Sequence, residues 1–269
     1  MMDTKILLLD IGNSRSKWTI INPYVDDDFH AHFGAVNNSE LAFNDVPHQL
    51  THLSNYHHEL THIIICNVAD QLVEHLWMQF LTRYFPKALI RSFLSELSHP
   101  QIQNYYQEKK DLGNDRWAAI FGGLYFAPKG NYMVVNCGTA MTIDYVDDTF
   151  IFQGGWIIPG MNLMLHSLGS KTALLPNLSH QELYPMQYGE LGNSTQNAIL
   201  QGVLHAQIGA IEIALKMRPQ LSLLILSGGN AAVISQYLPL SHLHPYKIIQ
   251  DPFIVLRGLK ECFLHLHPA

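Results

Sequence analysis

One pattern constrains this chain more than any other, and it occurs twice. An apolar run ends in an Asp or Asn, then a Gly-bearing polar turn, then a second apolar run. The first copy is Leu7-Leu8-Leu9, then Asp10, Gly12, Asn13 and Ser14, then Trp18 to Ile21. The second is Met133 to Val135, then Asn136, Gly138 and Thr139, then Ala140 to Asp144. Each reads as strand, turn, strand: a β-hairpin with a small polar tip. Gly12 permits backbone angles that other residues avoid and lets a ligand approach the main chain. Asn13, Ser14 and the nearby amides can donate to phosphate oxygens. Lys17 adds a positive charge, and Asp10 suits a water or a metal ion held on a nucleotide. Taken alone, such a turn equally suits an ordinary hairpin. The offset of the two copies is 136 − 10 = 126 residues, about one domain. Two related halves, each with a phosphate-sized turn, suggest a ligand clamped between them.

Composition narrows the class. At 269 residues, 48% hydrophobic and 14% charged, the chain has ample core for one large or two smaller domains. Net charge is −6 and no basic run occurs, which argues against a nucleic-acid partner. Local amides and a few cations can still attract an anionic substrate. The 16 histidines are scattered. His57-His58 and His265-x-His267 lack Cys or carboxylate partners at zinc-like spacing and read as surface residues. Cys66, Cys137 and Cys262 are odd in number and far apart, which suits a reducing cytoplasm rather than a disulfide framework. The short N-terminal apolar run ends in Asp10 and reads as neither a signal peptide nor a membrane span.

In order along the chain, Phe29 to Val36 is expected as a third strand, with Asp26-Asp27-Asp28 as the solvated turn before it. Residues 38–60 are polar and broken by Pro47, which predicts one or two short helices. Ile63 to Cys66 reads as a buried strand. A helix follows with Leu72, Val73, Leu76, Phe80 and Leu81 on one face. Lys87 to Phe93 is expected as a further strand, so that the order is that of an α/β half-domain. Asn114 or Asp115 is placed to cap an apolar helix. An Asp-Arg pair there also suits chemistry: a helix N-terminus favours negative charge, and Arg116 can grip a carboxylate or phosphate as a fork.

The second hairpin, 133–146, is followed by a strand near Thr149 to Gln153. Gly154 to Gly160 then predicts a tight turn or a subunit contact. Met161 to Leu168 should be helical, and 169–185 a loop that could act as a lid. Ser194-Thr195 opens a long helix to Lys216, with small residues at Gly202, Ala206, Gly209 and Ala210. Leu223 to Leu226 is a buried strand. It ends in Ser227-Gly228-Gly229-Asn230, where two glycines let a flat ring approach the backbone; a plain strand-to-helix turn explains them equally well. Pro252 opens a last helix, Phe253 to His265.

In this order the motifs resemble the type III pantothenate kinases, bacterial members of the actin, sugar-kinase and Hsp70 superfamily. The resemblance rests on Asp10-x-Gly-Asn-Ser-x-x-Lys17, Gly113-x-Asp-Arg116, Cys137-Gly-Thr-Ala-x-Thr-x-Asp144, Gly154-Gly-x-Ile-x-Pro-Gly160, Thr172-Ala-x-Leu-Pro176, Thr195-x-x-Ala198 and Ser227-Gly-Gly-Asn230. It implies an α/β fold of two ribonuclease-H-like, actin-like ATPase domains, with mixed sheets flanked by helices and ATP in the cleft between them. The halves are drawn at 1–112 and 113–269. The implied activity is ATP-dependent phosphorylation of pantothenate to 4'-phosphopantothenate, the opening step of coenzyme A synthesis, in a cytoplasmic homodimer without nucleic-acid or membrane partners.

Motif by motif, the resemblance makes Asp10, Ile11, Gly12, Asn13, Ser14, Arg15, Ser16 and Lys17 the first phosphate loop and Thr139 part of the second. Mg²⁺ would ride on the phosphates, with Asp10 ordering its water shell. Gly113, Asn114, Asp115 and Arg116 would contact pantothenate, with Asp115 as general base. Tyr106 matches the family's pantothenate-contacting tyrosine. Thr195 matches a threonine that reaches pantothenate from the partner subunit, and Ser227 to Asn230 matches the adenosine region. One position departs: the family usually has Asp at the place of Asn136, where it helps bind a monovalent cation, K⁺ or NH₄⁺. Asn keeps an oxygen ligand without the charge. Two competing readings are a nucleotide-binding regulator with little catalysis and a kinase of another small alcohol.

Overall fold

The apolar runs that predict the first hairpin also build it. Leu7, Leu9, Ile11, Trp18 and Ile20 are all buried in one core cluster, so the two strands must lie together with a short turn between them. The computed structural model describes residues 4–25, 28–41, 48–56, 58–171, 176, 178–183, 189–238 and 246–268. Asp26, Asp27, Pro47, His57, the 172–175 part of the Thr172–Pro176 motif, and much of the 169–185 loop lie outside the described residues.

The chain divides into two compact units, one of residues 1–128 with 253–269 and one of residues 129–252. This differs from a boundary at 112/113. The cause is packing: the helix that begins at Asn114 lies against the C-terminal helix, and both belong to the first unit.

In the first unit the elements run β1 (Lys5–Ile11), β2 (Arg15–Ile21), β3 (Gly34–Asn37), α1 (His48–Ser54), β4 (Leu60–Asn67), α2 (Gln71–Tyr84), β5 (Leu89–Ser92), β6 (Gln103–Asn104) and α3 (Asn114–Gly123). Its sheet has the order β3-β2-β1-β4-β5. β1 pairs antiparallel with β2 and parallel with β4, which makes the sheet mixed. β3 covers only the end of the segment expected to be strand; Phe29 is buried in a turn instead. On α2 the inward face is Val73, Trp77, Phe80 and Leu81. Leu72 is 57% exposed, so the stripe is shifted from the expected one and centres on Trp77.

The second unit holds β7 (Tyr132–Cys137), β8 (Ala140–Val146), β9 (Ile151–Pro159), α4 (Met161–Lys171), α5 (Thr195–Lys216), β10 (Leu223–Ser227), α6 (Ala231–Tyr237) and β11 (Lys247–Gln250). Five strands stand in the order β11-β10-β7-β8-β9. β7–β8–β9 is an antiparallel meander, and β10 lies parallel to β7, which again makes a mixed sheet. The chain then returns to the first unit as α7 (Ile254–Leu266).

Gly154 and Gly155 do not turn the chain. They lie inside β9, where a Cβ on Gly155 would come within 2.2 Å of Ile143 O. Glycine is there to let β9 pass close to β8 at a register shift between Asp144 and Val146. α5 is capped by Ser194, whose hydroxyl accepts from Asn197 N–H. By length and composition α5 could cross a membrane, yet 56% of its most apolar window is buried within the structure.

Candidate active site

The first turn links β1 to β2. Gly12 N–H donates to Arg15 O at 3.2 Å, and a Cβ on Gly12 would sit 3.0 Å from that oxygen. Asn13, Ser14 and Arg15 are exposed at the tip and Lys17 is half-buried. Ile11 and Ser16 face the other way and are buried. Ser16 is 0% and Ile11 1% exposed, main chain included, so both are core rather than open to a ligand. The Ser16 hydroxyl donates to Asn38 Oδ1 at 2.7 Å and accepts from Trp77 Nε1 at 2.9 Å.

Asp10 is the next-to-last residue of β1, at the base of this turn. It is buried, and loss of hydration pushes its carboxyl up to about 7; Lys17 opposes the rise and the charge of Asp115 adds to it. Cys66, beside it on β4, is fully buried, and its thiol is pushed well up by burial and then by the Asp10 and Asp115 charges.

Asp115 stands in the first turn of α3. The cap of this helix is Gly113, not Asn114 or Asp115. Asn114 is instead a strut: its Oδ1 accepts from Ser95 N–H at 2.8 Å and its Nδ2 donates to Asn67 O at 3.3 Å. Asp115 Oδ1 accepts from Arg116 N–H at 2.8 Å. Burial raises its proton affinity, and that N–H and the Arg116 charge pull it back. Arg116 is buried and donates from Nη1 to Tyr106 Oη at 2.9 Å, with its guanidinium 5.7 Å from the same ring. Asp10, Asp115, Arg116 and Tyr106 thus form one neighbourhood of the first unit: two carboxylates that repel each other and one fork-shaped cation. Two such carboxylates suit a divalent cation, held through water, that would relieve their repulsion.

The second turn, Gly138-Thr139, joins β7 to β8. Gly138 N–H donates to Ala140 O at 3.2 Å. Gly160 N–H holds Thr139 O at 2.9 Å, and Asn230 N–H holds Cys137 O at 3.0 Å. A Cβ on Gly228, which has φ +89°, would meet Asn136 Oδ1 and Cys137 O, each at 2.6 Å. The parallel register Ser227↔Asn136 brings this about. The Ser227–Asn230 segment therefore packs on the second turn, and Asn136 turns its side-chain oxygen toward it. Thr139 is exposed. Thr195, also exposed, lies elsewhere in the second unit. It borders an apolar groove of about 580 Å³ between α4 and α5, lined by Met164, Leu168, Ile199, Gly202 and Ala206 among others. Gly202 leaves that groove open: nothing lies within 4 Å of a Cβ placed on it.

Comparison with known proteins decides the family. The type III pantothenate kinase family model matches residues 6–216. This chain belongs to the type III pantothenate kinase family. The type III pantothenate kinase of Herminiimonas arsenicoxydans is 31% identical, over 98% of this chain and 99% of its own. Two solved structures share the fold alone. A Baf family protein from Campylobacter jejuni is 22% identical, with a TM-score of 0.59 over 97% of this chain and 98% of that one. The inorganic polyphosphate/ATP-glucomannokinase of Arthrobacter sp. strain KM is 12% identical, with a TM-score of 0.51 over 98% of this chain and all of that one. The fold is thus that of the actin-like and sugar-kinase ATPases.

Sequence reasoning missed three residues around the first turn: Asn38, Trp77 and Cys66. Asn38 sits in a polar stretch with no pattern of its own. Trp77 lies on the apolar side of α2, and only its indole N–H marks it as more than core.

Proposed function

We propose that Asp115 is the general base of an ATP-dependent phosphorylation of pantothenate. The activity itself, which opens coenzyme A synthesis, follows from membership of the family. The carboxylate supports the assignment most directly. It is partly open, its proton affinity is raised by burial, and it stands beside a locked Arg116–Tyr106 pair. In this reading Asp115 accepts the proton of the primary hydroxyl of pantothenate as that oxygen attacks the γ-phosphorus in line. Arg116 and Tyr106, with Gly113 and Asn114, orient pantothenate; the Arg116 fork suits its carboxylate.

The Asp10–Lys17 turn and Thr139 are assigned to the phosphates of ATP, and Ser227 to Asn230 to the adenosine. Asp10 orders the water shell of Mg²⁺, which supplies positive charge across the phosphate oxygens when bound. K⁺ or NH₄⁺ is assigned to Asn136, whose neutral oxygen binds a cation less tightly than a carboxylate does. A homodimer is part of the reading. The groove beside Thr195 and the exposed Leu163, Leu168, Ile213 and Met217 support it, and Thr195 then serves pantothenate in the partner. A net charge of −6 supports the absence of nucleic-acid partners, and three buried free cysteines support a cytoplasmic setting.

ADP release with and without pantothenate, in K⁺ and then in Na⁺, tests this. Pantothenate-dependent release, half-saturating only at high K⁺, is expected. Release with a sugar alone would make the chain a kinase of another alcohol, and ATP binding without release under any salt would make it a regulator.

A further inference from the structure

The first turn is held from behind by a one-way chain of hydrogen bonds. Trp77 Nε1 donates to Ser16 Oγ at 2.9 Å, Ser16 Oγ donates to Asn38 Oδ1 at 2.7 Å, and Asn38 Nδ2 donates to Gly12 O at 2.7 Å and Asn13 O at 3.1 Å. Asn38 N–H completes the set on Ser14 O at 3.0 Å. Trp77, Ser16 and Asn38 are all buried.

The direction of this chain is fixed by chemistry. An indole N–H can only donate, so Ser16 must accept there and pass its own proton on. Asn38 must then show its oxygen to Ser16 and its NH₂ to the turn. In a trans peptide the N–H points opposite to the C=O of the same plane. Drawing Gly12 O and Asn13 O toward Asn38 therefore turns the N–H groups of Asn13 and Ser14 away from it, toward the open side of the turn. That is the arrangement an anion needs.

We infer that Asn38, oriented by Ser16 and Trp77, is the positioning residue that aims the first turn at the phosphates of the nucleotide. This rests on the assignment of the Asp10–Lys17 turn to those phosphates. Asn38 touches no substrate; it acts through the peptides of residues 12–14. Asn38→Asp keeps the shape and replaces the donor by an acceptor, which repels both carbonyls. Ser16→Ala and Trp77→Phe each cut the relay upstream and leave Asn38 free to turn over.

The test is ATP affinity, with Mg²⁺, measured by calorimetry on the full chain, beside the KM for pantothenate. Asn38→Asp should weaken ATP binding by about tenfold or more, the loss of two hydrogen bonds to the turn. Ser16→Ala and Trp77→Phe should weaken it by about two- to fivefold, again through loss of a single bond each. In all three the KM for pantothenate should stay within about twofold, because the relay sets only the turn. If Asn38→Asp does not fold, Ser16→Ala decides. ATP affinity within twofold of the parent in the folded variants, or equal losses for ATP and pantothenate, would overturn the inference. A parent chain that binds ATP but does not use pantothenate overturns the proposed function alone, and ATP affinity then decides the inference by itself. A parent that binds no ATP overturns both.

Discussion

Asp10 and Asp115 show how two like residues are set apart by their surroundings. Both are pushed up by loss of hydration, but Asp115 is offset by the Arg116 N–H and charge, whereas Asp10 keeps a value of about 7. A carboxyl whose folded value exceeds its unfolded 3.8 holds its proton more tightly in the folded chain. Its stabilising contribution is thus complete below about 3.8 and is lost as pH rises through about 7. Asp10→Asn should therefore stabilise the nucleotide-free chain more at pH 8 than at pH 5. The gain at pH 8 is at most about 4 kcal/mol, the equivalent of moving a carboxyl from 3.8 to about 7. Urea unfolding at the two pH values checks this; an equal gain at both would refute the account of Asp10. At this scale the sequence was a fair guide to which residues gather, since Asp10, Asp115, Arg116 and Tyr106 do share a neighbourhood. It was a poor guide to which side chains face outward. Ser16 is a polar residue in a polar turn, yet strand alternation turns it inward, and nothing local in the sequence reveals the Trp77 indole that receives it.

Among the elements, α3 matters most because it carries Asp115 and Arg116. It crosses α7 backbone to backbone. A Cβ on Gly258 would lie 1.8 Å from Ala118 O, and one on Gly122 would lie 2.1 Å from Ile254 O. Neither neighbour is a flexible side chain, so the helices themselves must part. Gly258→Ala should cost about 3 kcal/mol, the upper part of the range for overpacking. It should also lower turnover by tilting the start of α3. An unfolding midpoint equal to the parent's would show that the two helices are not in such close register. The two hairpins and the start of α5 at Ser194-Thr195 were legible because apolar runs around a Gly-bearing turn and a Ser-Thr pair are local signals; the Gly113 cap of α3 was not. Nor was β9. Its glycines look like a turn in sequence, and only the neighbouring β8 explains why a strand needs them there.

For the molecule as a whole, seven motifs in one order foretold the two α/β units with mixed sheets, and the family comparison bears that out. The contact-defined boundary between them differs from 112/113 because contact, not sequence order, defines a unit. A helix that begins 131 residues after α3 ends (254 − 123 = 131), α7, returns against α3 to complete the first one. Asn136 is the clearest departure in the motifs, and in the proposed reading it bears on cation affinity rather than on the transfer step. The proposed function rests the transfer step on Asp115, and the most direct measurement is turnover of Asp115→Asn with its ATP affinity taken alongside. Turnover should fall by about 10²- to 10⁴-fold, the usual worth of a general base, while ATP affinity stays within twofold. Near-parental turnover in a folded Asp115→Asn chain that binds ATP would contradict the account.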